Sequence, residues 1–298
     1  MKVKIWLRAF RLRTLPLAMS CTILGSFLAQ AHGRFRWPVF IFALLTTLFL
    51  QILSNLANDY GDTMHGADNE KRIGPDRVTQ KGWVSKNQML RVMALFALLS
   101  FVTGSVLILI GLKNTRQIVL FYILGAASIF AAIKYTVGKN PYGYIGLGDL
   151  FVFLFFGIVG VAGTYYLHTH VFNPWIILPA STLGLLSSAV LNLNNMRDIE
   201  NDTLTGKRTL VVRIGSKAAK IYHAGLITLS MMLSLAYTIR FFDSGYQFIF
   251  LITFPLFFLN IKTVLKNTQP LELNRELKKL ALSTFAFSLT FGLGFILP

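Results

Sequence analysis

Two short stretches concentrate the residues with which this sequence could do chemistry. "NLANDYGDTMHGAD" (55–68) carries Asp59, Asp62 and Asp68, and "NLNNMRDIENDTLTGKRTLVVRIG" (192–215) carries Asp198 and Asp202, in a chain with only 12 acidic residues among 298. Asp59 and Asp62 are spaced i, i+3, and Asp198 and Asp202 i, i+4. On a helix each pair therefore shares one face, with Cβ atoms roughly 5–6 Å apart. Carboxylates that close repel and raise each other's pKa, so a cation belongs between them.

Lys or Arg partners and a divalent metal both answer that need. An oxygen-only donor set of Asp and Asn, with no Cys nearby, suits a hard ion, and Mg²⁺ is commonly held by a few carboxylates together with substrate phosphates. Basic residues lie close in sequence: Lys71, Arg72, Arg77, Lys81, Lys134, Lys139, Arg197, Lys207 and Arg208. In that partnership carboxylates hold the metal, the metal holds a phosphate, and the bases neutralise the remaining charge. "DTMHGAD" does not have the acidic positions of a calcium loop.

The elements that position these residues are membrane helices. The chain is 54% apolar and only 14% charged, against roughly 25% charged in an ordinary soluble domain. Crossing a bilayer takes roughly 20 mostly apolar residues. Nine segments qualify, at about 15–31, 38–57, 89–111, 117–135, 150–167, 174–194, 221–239, 246–262 and 280–297. The expected fold is an all-α multi-pass membrane protein, one bundle of about nine helices around a central apolar cavity, forming a single domain over 1–298. The basic N-terminus "MKVKIWLRAFRLRTLP" lacks a short apolar core followed by a small-residue cleavage site, so it does not read as a removable signal peptide.

A formal net charge of +17 raises the possibility of nucleic acid, and the distribution of the charge argues against it. Of the 29 Lys and Arg residues, 23 fall in the N-terminal segment and the loops after helices two, four, six and eight, and five in the opposite loops. That is the positive-inside pattern, which places the N-terminus and both acidic stretches on the cytoplasmic side of the cell's inner membrane. The lone Cys21 excludes a disulfide framework and a cysteine metal site. Charged residues at membrane-helix ends are often merely solvated caps. Two paired sets on one side, each at a helix end and each followed by a basic loop, outweigh that reading, because carboxylates at a membrane edge are costly.

With those residues in view, the chain resembles the UbiA-type intramembrane prenyltransferases. That family carries N-D-x-x-D-x-x-x-D in one loop and D-x-x-x-D in another. Here the first begins Asn58, Asp59, Asp62, but Gly66 stands at the last position and the third carboxylate comes at Asp68; the second is Asp198 and Asp202. "RLRTLPLA" (11–18), "GLGDLFVFLFFG" (146–157) and the 192–215 stretch are similar to the branch that prenylates 1,4-dihydroxy-2-naphthoate. The resemblance implies a polyprenyl diphosphate and the naphthoate as substrates and Mg²⁺ as cofactor. It implies Asp59, Asp62, Asp68, Asp198 and Asp202 as metal ligands, and Asn58, Arg72, Arg77, Lys81, Arg197 and Lys207 as diphosphate contacts. Lys134 and Lys139 would then attract the naphthoate carboxylate. The aromatic side chains Tyr60, Tyr135, Phe151, Phe153 and Phe156 are able to face an allylic cation, although packing is the commoner role. His65 is placed for proton transfer, and His168 and His170 belong to the opposite side. Another aromatic acceptor, such as 4-hydroxybenzoate or a tetrapyrrole, is the nearest enzymatic alternative. A cation-coupled organic-anion transporter fits less well, because its charges would sit near the bilayer midplane.

Overall fold

The computed structural model describes residues 2–68 and 73–298. A short basic helix, α1 (Lys2–Phe10), precedes α2 (Leu15–Ala31), α3 (Trp37–Met64), α4 (Lys86–Gly111) and α5 (Thr115–Lys134). Then follow α6 (Gly148–Thr169), α7 (Ile177–Arg197), the six-residue α8 (Ile199–Leu204) and α9 (Leu210–Arg240). The chain ends with α10 (Gly245–Lys266) and α11 (Leu273–Ile296). Among the described residues nine helical spans are long and apolar enough to cross a membrane.

Local sequence fixes where these helices begin. Pro16 stands in the first turn of α2, where its missing N–H costs nothing. Ser85 and Gln88 cap each other reciprocally before α4, and Asn114 accepts from the amides of Arg116 and Gln117 before α5. Three boundaries differ most from the hydropathy reading, one being the start of α11 at Leu273 rather than 280. Helix α3 continues to Met64 rather than stopping at 57, so Asp59 and Asp62 lie in its last turns. Helix α9 starts at Leu210 rather than 221 and is broken at Gly215, whose φ of +80° favours glycine.

Three apolar cores border a cavity. One joins α1, α3 and α4 through Ala9, Leu53, Leu56, Met89 and Met93; a second joins α2, α7, α9 and α11 through Leu28, Leu183, Ile227 and Phe287; a smaller third joins α3, α4 and α6 through Val39, Leu107, Ile108 and Leu167. Apolar side chains gain little by leaving lipid for protein, so close backbone approach and interhelical hydrogen bonds hold such helices together. A Cβ at Gly157 of α6 would lie 2.6 Å from the Ala180 carbonyl oxygen of α7, and one at Gly61 of α3 would lie 2.5 Å from the Thr136 carbonyl oxygen just after α5. Thr22 and Thr47 hydroxyls meet at 2.7 Å, and Asn260 bridges His223 at 2.9 Å and the Glu276 carboxylate at 2.9 Å. The outer face of α5 leaves Leu120, Ile123 and Phe130 more than half exposed, as a lipid-facing helix does.

At the end of the bundle away from the acidic stretches, Arg36 donates to the carbonyls of Ile110, Gly111 and Leu167. It thereby satisfies the last turns of α4 and α6. His168 receives the Arg36 amide at 3.1 Å and contacts Ser26 at 3.0 Å, and His170 contacts the Arg36 guanidinium at 3.0 Å. Both histidines are structural, far from the carboxylates in the fold.

Candidate active site

The cavity between these cores has a volume of about 380 Å³. Most of its wall is apolar, from Leu17, Leu107, Phe121, Phe155, Phe156 and Val190 among others. One end is polar, formed by Asn58, Asp62, Asp68, Arg77, Asn194, Asp198, Asn201, Asp202 and Lys207. The two acidic stretches, some 130 residues apart in sequence, therefore meet at one mouth of an apolar chamber.

The contacts at that mouth are specific. Lys207 places its ammonium 3.6 Å from Asp62 and 3.7 Å from Asp202, so one positive charge is shared between the stretches. Arg77 donates to Asp62 at 3.1 Å and pairs with Asp68 at 3.2 Å. Tyr144, in the turn between α5 and α6, donates its hydroxyl to Asp62 at 2.9 Å, and its ring lies under the Lys207 ammonium at 5.2 Å. Asn201 donates to the Ala67 carbonyl at 2.7 Å, tying α8 to the first loop. Gly66, at a φ of +71° that favours glycine, turns the chain so that Asp68 comes back beside Arg77. The residue that interrupts the expected carboxylate spacing is thus the one that returns the displaced carboxylate to the site.

Burial of Lys207 opposes its charge, yet Asp62, Asp202, Asp198 and Asp68 together outweigh that cost and hold its pKa above the ordinary lysine value. For Tyr144, burial and then the adjacent Asp62 push the phenol far up, so it stays a donor at any physiological pH.

Several expected residues stand elsewhere. Asp59 does not form a cation-sharing pair with Asp62: its two oxygens accept from the amides of Val78 and Thr79 at 3.0 Å each, which fixes the loop that carries Arg77. Arg197 does not line the cavity; it lies behind it, 2% exposed, paired with Asp198 and donating to Asn194 at 2.9 Å and Asn274 at 3.0 Å. Lys81 pairs with Asp76 at 3.6 Å in an exposed loop, outside the site. Lys134 donates to the Lys139 carbonyl at 2.6 Å, closing a turn, and neither lysine lines the cavity. Nearness in sequence does not place these three lysines at the site, because a loop's basic residues have many directions in which to point. Arg72, like Lys71, lies outside the described residues. Of the aromatics, Tyr135, Phe151 and Phe156 line the cavity, whereas Phe153 packs on Gly184 and Tyr60 against the first core. His65 packs tilted against Tyr144, with ring centroids 5.1 Å apart. Sequence reasoning missed Tyr144, Asn194 and Asn201. The asparagines in "NLNNMRDIEN" were a signal; nothing marks the third tyrosine of a turn as the partner of a carboxylate 82 residues away.

The family model for the UbiA prenyltransferase family matches residues 18–289. The chain belongs to that family. It is 43% identical to a 1,4-dihydroxy-2-naphthoate octaprenyltransferase of Haemophilus influenzae over 99% of this chain and 97% of that protein. It is 42% identical to the protein of the same name from Escherichia coli strain K12 over 99% and 96%. Its fold matches that of a UbiA homolog from Archaeoglobus fulgidus bound to GPP and Mg²⁺, with a TM-score of 0.66 at 16% identity over 98% of this chain and 99% of that one. Among the described residues of this UbiA-family chain, no three carboxylates, imidazoles or thiols are grouped as a self-sufficient metal site. The donors nevertheless fit a hard cation: they are carboxylate and amide oxygens only, and the buried Asn201 Oδ1 on the cavity wall has no hydrogen-bond partner. A positive charge between the two stretches is already tolerated in the form of the Lys207 ammonium.

Proposed function

We propose that this UbiA-family protein transfers a polyprenyl group from polyprenyl diphosphate to 1,4-dihydroxy-2-naphthoate, with loss of the ring carboxylate as carbon dioxide, in menaquinone synthesis. The observation that carries the reading is Lys207 held between Asp62 and Asp202 at the head of a long apolar cavity. The two relatives named above, which match nearly end to end, support the acceptor and the donor class. We place the N-terminus and the acidic mouth on the cytoplasmic side of the inner membrane, because the Lys and Arg residues concentrate there, and the whole of 1–298 acts as one domain.

In this reading Asp62, Asp68, Asp198 and Asp202 would hold Mg²⁺, with the amide oxygen of Asn201 as a further donor. Bound there with the diphosphate, Mg²⁺ supplies Lewis-acid charge that favours departure of the leaving group. Arg77 and Lys207 neutralise diphosphate oxygens, and both are already oriented by the carboxylates they pair with. Asp59 acts at one remove, by fixing the Arg77 loop. As the C1–O bond breaks, its electron pair leaves on the diphosphate and an allylic cation remains. The walls formed by Phe155, Phe156 and Val190 keep water from that cation, and Tyr135 and Phe151 offer it π-faces. A ring carbon then forms the new C–C bond, and the electrons of the ring–carboxylate bond return to the ring as carbon dioxide departs.

The test is the product mass from isolated membranes given the naphthoate and a polyprenyl diphosphate, with Mg²⁺ or with EDTA. The expected product is prenylated, has lost the mass of carbon dioxide, and disappears with EDTA. Product from 4-hydroxybenzoate alone would overturn the acceptor, and no product from any aromatic acceptor would favour anion transport.

A further inference from the structure

The cavity has two unlike walls. From α5 and α6 it is lined by Phe121, Leu124, Phe151, Phe155 and Val159. From α3 it is lined by Gln51, Ser54, Asn55, Asn58 and Asp62, and from the turn before α2 by Thr14. The α3 residues recur at helical spacing, so they form one polar stripe running inward from the mouth. An isoprenoid tail has no atom that hydrogen-bonds and gains nothing along such a stripe; it belongs on the apolar wall.

Hydrogen bonds at the inner end of the stripe fix which way its amides face. Asn55 donates from Nδ2 to the Phe10 carbonyl at 2.9 Å and to Thr14 Oγ1 at 2.9 Å. A backbone carbonyl only accepts, so the Asn55 amide cannot be turned over, and Oδ1 is the atom it presents to Gln51. Gln51 donates from Nε2 to Asn55 Oδ1 at 3.3 Å and to Thr14 Oγ1 at 3.4 Å. Both amide hydrogens are thereby committed, and Thr14 spends its own hydroxyl hydrogen on the Arg11 carbonyl at 3.0 Å. Gln51, half-buried on the cavity wall, is left with Oε1 as an acceptor turned away from these partners, and the network holds no further donor for it.

The ligand must supply that donor. Ionised diphosphate has none and the tail has none, whereas the aromatic acceptor carries two hydroxyls. In 1,4-dihydroxy-2-naphthoate the C1 hydroxyl lies beside the carboxylate and donates to it, which leaves the C4 hydroxyl free. Asn55, which the Gln51 amide touches, stands seven residues before Asp62, about 10 Å along the helix. The bicyclic ring fits between the amide and the charged mouth.

We propose that Gln51 is a specificity-determining residue whose Oε1 accepts the C4 hydroxyl of the acceptor, with Thr14 and Asn55 holding the amide in that orientation. The proposal deepens the functional reading above and rests on it. Gln51 takes no part in bond making. It favours a ring with a donor at that position, because a ring without one leaves the amide oxygen facing apolar carbon.

The test uses the full-length protein in membranes, as wild type and as Gln51→Met, which keeps the side-chain length and removes the amide. The ligands are 1,4-dihydroxy-2-naphthoate as substrate and 1-hydroxy-2-naphthoate, which lacks the C4 hydroxyl, as a competitive inhibitor. In wild type the inhibition constant should lie at least about threefold above the substrate KM. Gln51→Met is expected to raise the substrate KM by about three- to tenfold and to leave the polyprenyl diphosphate KM unchanged. It should bind the inhibitor no more weakly than wild type does, since the unpaired oxygen is gone, so the two ligands converge. An unchanged substrate KM in Gln51→Met would overturn the proposal, as would a parallel loss of affinity for the inhibitor, which would mark a role in shape alone. Should Gln51→Met fail to fold, the wild-type comparison decides by itself, because equal binding of the two ligands refutes the proposal. A wild type that makes product without discriminating refutes this inference alone; a wild type that makes no product from the naphthoate refutes the functional reading and this inference with it.

Discussion

Asp62→Ala is expected to lower kcat by at least about 10²–10³-fold, the range seen when one preorganised electrostatic group is removed from a site where charge develops. Asp62 is the residue on which the mouth converges: it receives Arg77, Tyr144 and Lys207 at 3.1, 2.9 and 3.6 Å. On the proposed function its loss would remove one metal donor, and it releases Arg77 and Lys207, the two cations that pair with it. Asp62→Asn separates these effects, because it keeps the shape and one acceptor oxygen but not the charge. Single-turnover assays on membranes containing equal amounts of protein provide the measurement. Near-normal kcat in Asp62→Ala would remove the carboxylates from the chemistry.

The largest effect on stability is expected at Arg197. Its guanidinium is almost fully buried and serves Asp198, Asn194 and Asn274 at once. Removing one member of a buried ion pair costs roughly 3–5 kcal/mol, because the other charge stays behind without compensation. Arg197→Ala should therefore unfold in detergent at clearly lower temperature than wild type. Arg197→Lys should recover little, since an ammonium cannot reproduce the planar fork that reaches three partners. A thermal melt of Arg197→Ala that matches wild type would show that Asp198 finds another cation.

The spans were legible because a membrane helix must satisfy its own backbone and keep roughly 20 apolar residues in hydrocarbon, and no tertiary knowledge is needed to see that. Their ends were not. "LANDYGDTM" is too polar to read as a continuation of α3, yet it stays helical because Gly61 lets it pack against Thr136 and because its carboxylates find partners from three other segments. The composition of the mouth was also legible, since Asp62, Asp68, Asp198, Asp202, Arg77 and Lys207 are all present. What Asp59 does was not. Spacing of i, i+3 fixes which way a side chain leaves the helix and says nothing about the amides of Val78 and Thr79 that meet it. Lys81, Lys134 and Lys139 lie outside the cavity: basic loops at a membrane edge also set topology and meet lipid headgroups, and one-dimensional proximity does not separate those duties from a place in the site.

The two larger apolar cores of the bundle are joined through charge at the mouth as well as through the packing of α2 on α3. Leu53 belongs to one and Leu183 to the other, with the cavity between them and Lys207 bridging Asp62 and Asp202 at its edge. The stability losses of Leu53→Ala and Leu183→Ala should add to within about 0.5 kcal/mol in the double variant, as for sites with no common partner. Asp62→Ala combined with Asp202→Ala should fall well short of the sum of the singles, because both act through one ammonium. Additivity between the two cores with non-additivity at the mouth would show that the carboxylates there are coupled through the shared Lys207 ammonium, while the apolar packing on either side of the cavity is not.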